Sequence, residues 1–248
     1  MLVLQTIITV RATSIFSTVP ITLGEPKRPY GTIVTLGVLA RHQQHLFCLR
    51  IDPAIDGHKN LVVIEESHAM LIDDPAVQNP FGGIGYRMHT SYIEKEGGFD
   101  LGVTKNRVFK IVNEARMNSM TQTPVGFKLL PSDSQMRLAH PSSFHAKRSE
   151  YGQHAAWVTK QREDEVFPSG RYTMQSMGGE GIASAIEKRA EDEKESGVRN
   201  EDLVVWHTFG STHNPRIEDW PVMPCEKVAV GLKPVNSLRL NRDSMSRR

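Results

Sequence analysis

In the stretch Ala-Arg-His-Gln-Gln-His-Leu-Phe-Cys-Leu-Arg-Ile-Asp, residues 40–52, His42 and His45 stand three positions apart on either side of two glutamines, at the head of an apolar run. Imidazole is a common ligand for zinc, copper, iron and nickel, so the first question is whether this is a metal site. Side chains alternate across a strand, so His45 shares a face with Phe47, Leu49 and Ile51, and His42 points the other way. Two ligands from one strand need an even offset, and the position that pairs with His45 holds Gln43. The head of an apolar strand is equally the place for a hydrogen-bonded core histidine, and the pattern alone leaves both readings open. His213 lies in Thr-Phe-Gly-Ser-Thr-His-Asn-Pro-Arg, a loop directly after a hydrophobic strand, and loop residues held by rigid strands are typical of sites. His140, His145 and His154 match no common metal template by their spacings, and they are expected to be structural.

The elements that must position these residues are β-rich runs set between turn signals. Such runs occupy residues 2–10, 45–51, 60–67, 107–113, 125–131, 155–160, 202–210 and 227–234. Segments such as Asp-Pro-Ala-Ile-Asp-Gly, Asn-Pro-Phe-Gly-Gly-Ile-Gly and Phe-Pro-Ser-Gly-Arg-Tyr separate them, and these carry loop chemistry. The pattern predicts an all-β antiparallel sandwich or barrel. One helix is predicted over 180–197, with Ile182, Ala185 and Ile186 at helical spacing before a charged tail, as a solvated surface excursion.

A chain of 248 residues with 39% hydrophobic residues buries a core, and a formal net charge of +2 gives no whole-chain field toward nucleic acid or membrane. Cys48 and Cys225 form no framework, although one long-range bridge remains open. The apolar opening lacks a basic leader and is shorter than the roughly 20 residues of a membrane span, so it reads as a strand. The ending Ser-Arg-Arg is not a peroxisomal address, and cytoplasmic and peroxisomal location both stay open.

Several of these stretches together resemble a known family. His-Leu-Phe-Cys-Leu-Arg-Ile-Asp-Pro-Ala-Ile-Asp-Gly, Asn-Pro-Phe-Gly, Thr-Lys-Asn-Arg-Val-Phe-Lys-Ile-Val-Asn-Glu, Pro-Val-Gly-Phe-Lys-Leu-Leu-Pro, Trp-Val-Thr-Lys and, above all, residues 202–224 are similar to the C-terminal catalytic domain of copper amine oxidases, fungal members in particular. The resemblance runs from about residue 24 to 235. It implies a large dimeric antiparallel β-sandwich enzyme that converts primary amines, with O2 and water, to aldehydes, ammonia and hydrogen peroxide. The implied cofactors are copper and topaquinone, a quinone formed from one of the protein's tyrosines. The copper ligands are a His-x-His pair and a distant third histidine. His45 falls on the second member of the pair and His213 on the third ligand, while Gln43 stands where the first is expected. His42 replaces it only if a bulge shifts the strand by one residue.

The organic half of the apparatus is not matched. None of Tyr30, Tyr86, Tyr92, Tyr151 and Tyr172 follows an asparagine, as the family's precursor tyrosine does, and no residue matches the catalytic aspartate. The resemblance further implies a peripheral calcium or manganese site, with Asp52 and Asp202 at matched positions and Ala54 where another carboxylate is expected. The expectation is a catalytic domain over 1–235, incomplete on its N-terminal side and inactive alone, with a divergent tail at 236–248. The alternative is a non-catalytic β-sandwich that serves as an interaction or oligomerisation module, or a misassembled gene product.

Overall fold

A computed structural model describes residues 5–237 apart from positions 14, 27, 80, 81 and 134. The tail expected to diverge therefore lies, from residue 238 on, outside the described residues. The described residues form thirteen strands: β1 Thr6–Ala12, β2 Thr18–Pro20, β3 Gly31–Thr35, β4 Val38–Arg41, β5 Gln43–Ile51, β6 Lys59–Ala69, β7 Tyr86–Tyr92, β8 Gly97–Phe99, β9 Val108–Met117, β10 Pro124–Leu130, β11 Ala156–Lys160, β12 Glu201–His213 and β13 Glu226–Val235. Three short α-helices accompany them among the described residues: α1 Phe144–Arg148, α2 Ile182–Arg189 and α3 Glu193–Ser196. No helix among the described residues is long and apolar enough to cross a membrane.

The pairings between strands are antiparallel, as the alternation of short runs and turns predicts. A ten-stranded sheet runs β1-β13-β10-β9-β6-β12-β11-β8, with β5 paired to β12 and β7 to β6, and a three-stranded sheet runs β2-β4-β3. The large sheet folds over itself. Val62, Phe109, Ile111, Leu129 and Val230 from one half meet Ala156, Val158, Leu203, Val205 and Phe209 from the other, in one buried cluster. Burial of this apolar surface is the main favourable term, at roughly 25 cal/mol per Å² removed from water.

Strand β12 shows how alternation divides two environments. Leu203, Val205 and Phe209 face the sandwich interior with Phe47, Leu49 and Ile51 of β5. Val204 and Trp206 face outward and pack under Trp157, Ile182, Ala183 and Ile186. The helix expected over 180–197 as a solvated excursion is therefore two helices, α2 and α3, and α2 covers the outer face of the sheet. It buries Ile182, Ala183 and Ile186, positions i, i+1 and i+4 of one amphipathic face. Its first turn is capped at a distance: the buried Glu150 accepts hydrogen bonds from the Ser184 N–H at 3.1 Å and the Ser184 hydroxyl at 3.0 Å.

Candidate metal centre on the β5–β12 ladder

Strands β5 and β12 pair one residue for one from Ile51↔Val205 to Gln43↔His213, with His45 opposite Ser211. Directly opposed residues of an antiparallel ladder project to the same side. Gln43, His45 and His213 therefore share a face, the one that carries Phe47, Leu49 and Phe209 into the interior. His45 and His213 are diagonal neighbours, a relation that sets Cβ atoms about 7–8 Å apart or a little less. No bulge interrupts β5, so nothing turns His42 onto this face. His42 precedes the strand, its N–H donates to the Tyr30 carbonyl at 2.9 Å, and it borders a cleft of about 830 Å³ together with Gln44, Leu46 and Arg137.

Two features of Gly210 and its neighbours hold the strands at this spacing. A β-carbon at Gly210 would overlap the His45 carbonyl oxygen, so glycine is what lets β12 approach β5 beside the site. Gln44 then clamps the outer side: its amide donates to the Met136 carbonyl at 3.0 Å and to Thr212 Oγ1 at 3.2 Å, and its oxygen accepts from Leu138 N–H at 2.9 Å.

The two histidines have unlike surroundings. His45 Nε2 is buried and has no hydrogen-bond partner, an arrangement that costs free energy unless something else occupies that direction. His213, 6% exposed, sits in the satellite core of the small sheet, with the Phe16 ring centroid at 5.5 Å and Met223 Sδ 3.2 Å from Nδ1. Its Nε2 lies 3.3 Å from Asp219 Oδ2. Hydrogen bonds from the Arg216 guanidinium and then the Arg216 N–H hold the Asp219 carboxyl well below the usual carboxylate range. Asp219, Met223 and Phe16 were not singled out from the sequence, although the acidic residue six positions after His213 was a signal available there.

At the far end of the same ladder, Asp52 follows Ile51 and Asp202 precedes Val205 by three residues. Asp52 accepts a bond from Arg50 at 3.0 Å, and Asp202 Oδ2 lies 3.7 Å from His58 Nδ1. Asp202 Oδ1 is buried without a partner. Among the described residues no three His, Cys, Asp or Glu side chains gather to hold a metal, and the residue opposite His213 on the His45 face is the amide Gln43. Among the remaining histidines, His68 and His89 lie with ring centroids 5.9 Å apart, and His68 Nε2 is 3.1 Å from Glu66 Oε2. His140 pairs with Ser142, His154 with Asp100 at 3.0 Å, and His145 stands in α1. His207 is fully buried on β12: its Nδ1 bonds the Ala155 carbonyl at 2.8 Å and its Nε2 accepts from Ser132 N–H at 3.1 Å. Burial pushes its pKa down. Cys48 and Cys225 are both free thiols.

Fold and ladder together define a class: an antiparallel β-sandwich with imidazoles on adjacent strands of its inner face. Comparison with known proteins gives the family. A family model described as "Copper amine oxidase, enzyme domain" matches residues 5–246. Copper amine oxidase 1 of Aspergillus niger is 45% identical over 232 residues, 93% of this chain and 33% of that protein. Histamine oxidase of Arthrobacter globiformis is 35% identical over 206 residues, 83% of this chain and 29% of that protein. The crystal structure of a copper-containing benzylamine oxidase from Hansenula polymorpha superposes with a TM-score of 0.84 at 36% identity, covering 94% of this chain and 35% of that one. The chain belongs to the copper amine oxidase family. Membership implies copper and a quinone as the family's cofactors. The chain spans about a third of the length of the curated relatives it matches.

Proposed function

We propose that this chain supplies the copper-holding part of a primary-amine oxidase, with His45 and His213 as the imidazole ligands and Gln43 at the third position. The reaction served is the conversion of a primary amine, O2 and water to aldehyde, ammonia and hydrogen peroxide. The observation that carries the reading is the uninterrupted β5–β12 register, which sets those three side chains on one face. The buried, unpartnered His45 Nε2 supports it, since a metal satisfies a lone pair that no protein donor reaches. Copper, when bound, would supply redox chemistry next to the place where oxygen is reduced. This chain's own part is to fix two imidazoles on paired strands, to exclude water with Phe16 and Met223, and to offer at Gln43 a weaker donor than imidazole.

The quinone does not fit the residues present. Tyr30, Tyr86, Tyr92 and Tyr172 are exposed, and Tyr151 packs on the outer face, with its hydroxyl 3.5 Å from the Leu46 carbonyl. None follows an asparagine, and the carboxylate beside His213, Asp219, is held by Arg216. No step of amine oxidation is assigned to these 248 residues. The corresponding test is turnover: the copper-loaded chain, given benzylamine or methylamine in air, is expected to yield no peroxide above a no-protein control and no phenylhydrazine-reactive absorbance. Both signals together would overturn this part of the reading, and failure to bind copper at all would overturn the other.

Association with a second copy is favoured by one observation. All seven residues of β7 are exposed, Tyr86 at 68% and Met88 at 58% among them, next to exposed Leu71, Ile72 and Ile84. An edge strand with apolar side chains on display is a surface that another chain covers. Asp52 and Asp202 support a weak calcium or manganese site, since hard cations take six or more oxygens and only two carboxylates are at hand.

A further inference from the structure

We propose that the cleft beside Gln44 and Leu46, on the outer side of β5, binds a small organic anion whose carboxylate or phosphate oxygens lie on the Arg137 and Arg148 guanidinium groups. The cleft encloses about 830 Å³. Small-molecule sites span roughly 300–1,000 Å³, so it has room for an organic body around the charged group. Two guanidinium groups and two imidazoles line it, those of Arg137, Arg148, His42 and His145, and no Asp or Glu does. A cleft lined by one sign of charge focuses its field on a ligand of the other sign.

The pairing of arginines elsewhere in the chain sets these two apart. Six arginines among the described residues are half-buried. Four of them hold carboxylates: Arg50 on Asp52, Arg107 on Glu66, and Arg162 and Arg189 on Glu96. The other two are Arg137 and Arg148, and both line this cleft. A partly desolvated cation with no counter-charge is costly, and a bound anion removes that cost.

Arg137 is fixed before any ligand arrives. Its backbone N–H donates to the Gly152 carbonyl at 2.9 Å, and its Nη1 donates to the Ala146 carbonyl at 2.7 Å and the Ser149 carbonyl at 3.2 Å. A β-carbon at Gly152 would press on Leu46 Cδ1 and Arg137 Cβ, so glycine there leaves room for both side chains. A guanidinium carries five N–H donors in a rigid fork, and the two on Nη1 are occupied. Nε is buried without a partner. The Nε–Nη2 edge is the one that meets two oxygens of a carboxylate or phosphate with parallel bonds. Arg148 adds a second cation: its Nη2 donates to the Thr173 carbonyl at 2.9 Å, and its guanidinium carbon lies 5.3 Å from the Phe144 ring centroid.

The test is calorimetric titration of the full 248-residue protein, without copper, with inorganic phosphate and with citrate at an ionic strength held constant by chloride. Saturable binding of at least one anion is expected; tighter phosphate points to a phosphate ester as the ligand and tighter citrate to a carboxylate. Arg137→Lys keeps the charge and loses the fork, and Arg148→Gln loses the second cation, so each should weaken binding about 10- to 100-fold, as the loss of hydrogen bonds to a charged group does. Lys227→Gln, an exposed charge on β13, should leave it unchanged. If Arg137→Lys does not fold, Arg148→Gln decides alone. Parent-like affinity in Arg148→Gln, an equal loss in Lys227→Gln, or no saturable binding of either anion by the parent overturns the proposal.

Discussion

The β5–β12 ladder carries a candidate metal centre at each end, and the two ends are built on opposite principles. At the Gln43–His213 end the donors are an amide and two imidazoles, and one of them, His45 Nε2, is buried with no protein partner. At the Ile51–Val205 end the donors are carboxylates, which are costly to bury unpaired, and they remain partly exposed, with Asp52 on Arg50 and Asp202 near His58. The first end leaves one imidazole nitrogen without a protein partner. The second holds Asp52 on the Arg50 guanidinium, while Asp202 Oδ1 is buried without a partner.

The difference can be broken at its most rigid point. Gly210→Ala drives a β-carbon into the His45 carbonyl oxygen and the Leu46 Cα, so β12 must move away from β5. Overpacking of this kind costs about 1–3 kcal/mol. Thermal unfolding followed by circular dichroism should show the loss, accompanied by weaker copper binding and unchanged calcium binding. An Ala variant as stable as the parent would mean that the strands are not held at this spacing by the missing side chain.

Between the two ends, His207 sharpens the picture of a dry, neutral interior. Its folded pKa is lowered by burial, so the unfolded chain takes up its proton first. The stability it permits is fully present above the unfolded value of about 6.5 and is lost as pH falls below that toward the folded value. Urea midpoints measured from pH 7.5 down to 5 should fall more steeply for the parent than for His207→Gln. Equal slopes would show that His207 titrates as it does in water.

The smallest effect is expected at the carboxylate end. Asp202→Asn removes one of two charged ligands from a site that binds calcium weakly at best, so calorimetric titration should change by no more than about tenfold from an affinity in the millimolar range typical of weak sites. A tight parent site would show that carbonyl oxygens, from Pro53 or Leu203, do more than the carboxylates.

Much of this ladder was legible in the sequence. Apolar runs gave β5, β6, β9, β10, β11, β12 and β13 because their side chains are buried and must be apolar on at least one face. Alternation alone paired Gln43 with His45 and set His42 apart. Strand β7 was invisible for the converse reason: it is exposed along its whole length, so nothing constrains its side chains to alternate. Strands β2, β3, β4 and β8, of three to five residues, are too short to show a period. Asp219 and Met223 reach His213 through a turn and a satellite core, and neither the turn's direction nor the core's position follows from spacing along the chain.

Copper affinity across three proteins tests the shared face of Gln43, His45 and His213 most directly. Competitive titration of the parent, Gln43→His and His42→Ala at one pH compares a side chain on that face with one on the other. Gln43→His completes a three-imidazole site without moving the backbone, so affinity should rise by at least the about 10- to 100-fold that outer-shell changes alone produce. His42→Ala should leave it unchanged. If His42→Ala abolishes binding and Gln43→His leaves it as in the parent, then His42 is the ligand and the strand is shifted there by one residue.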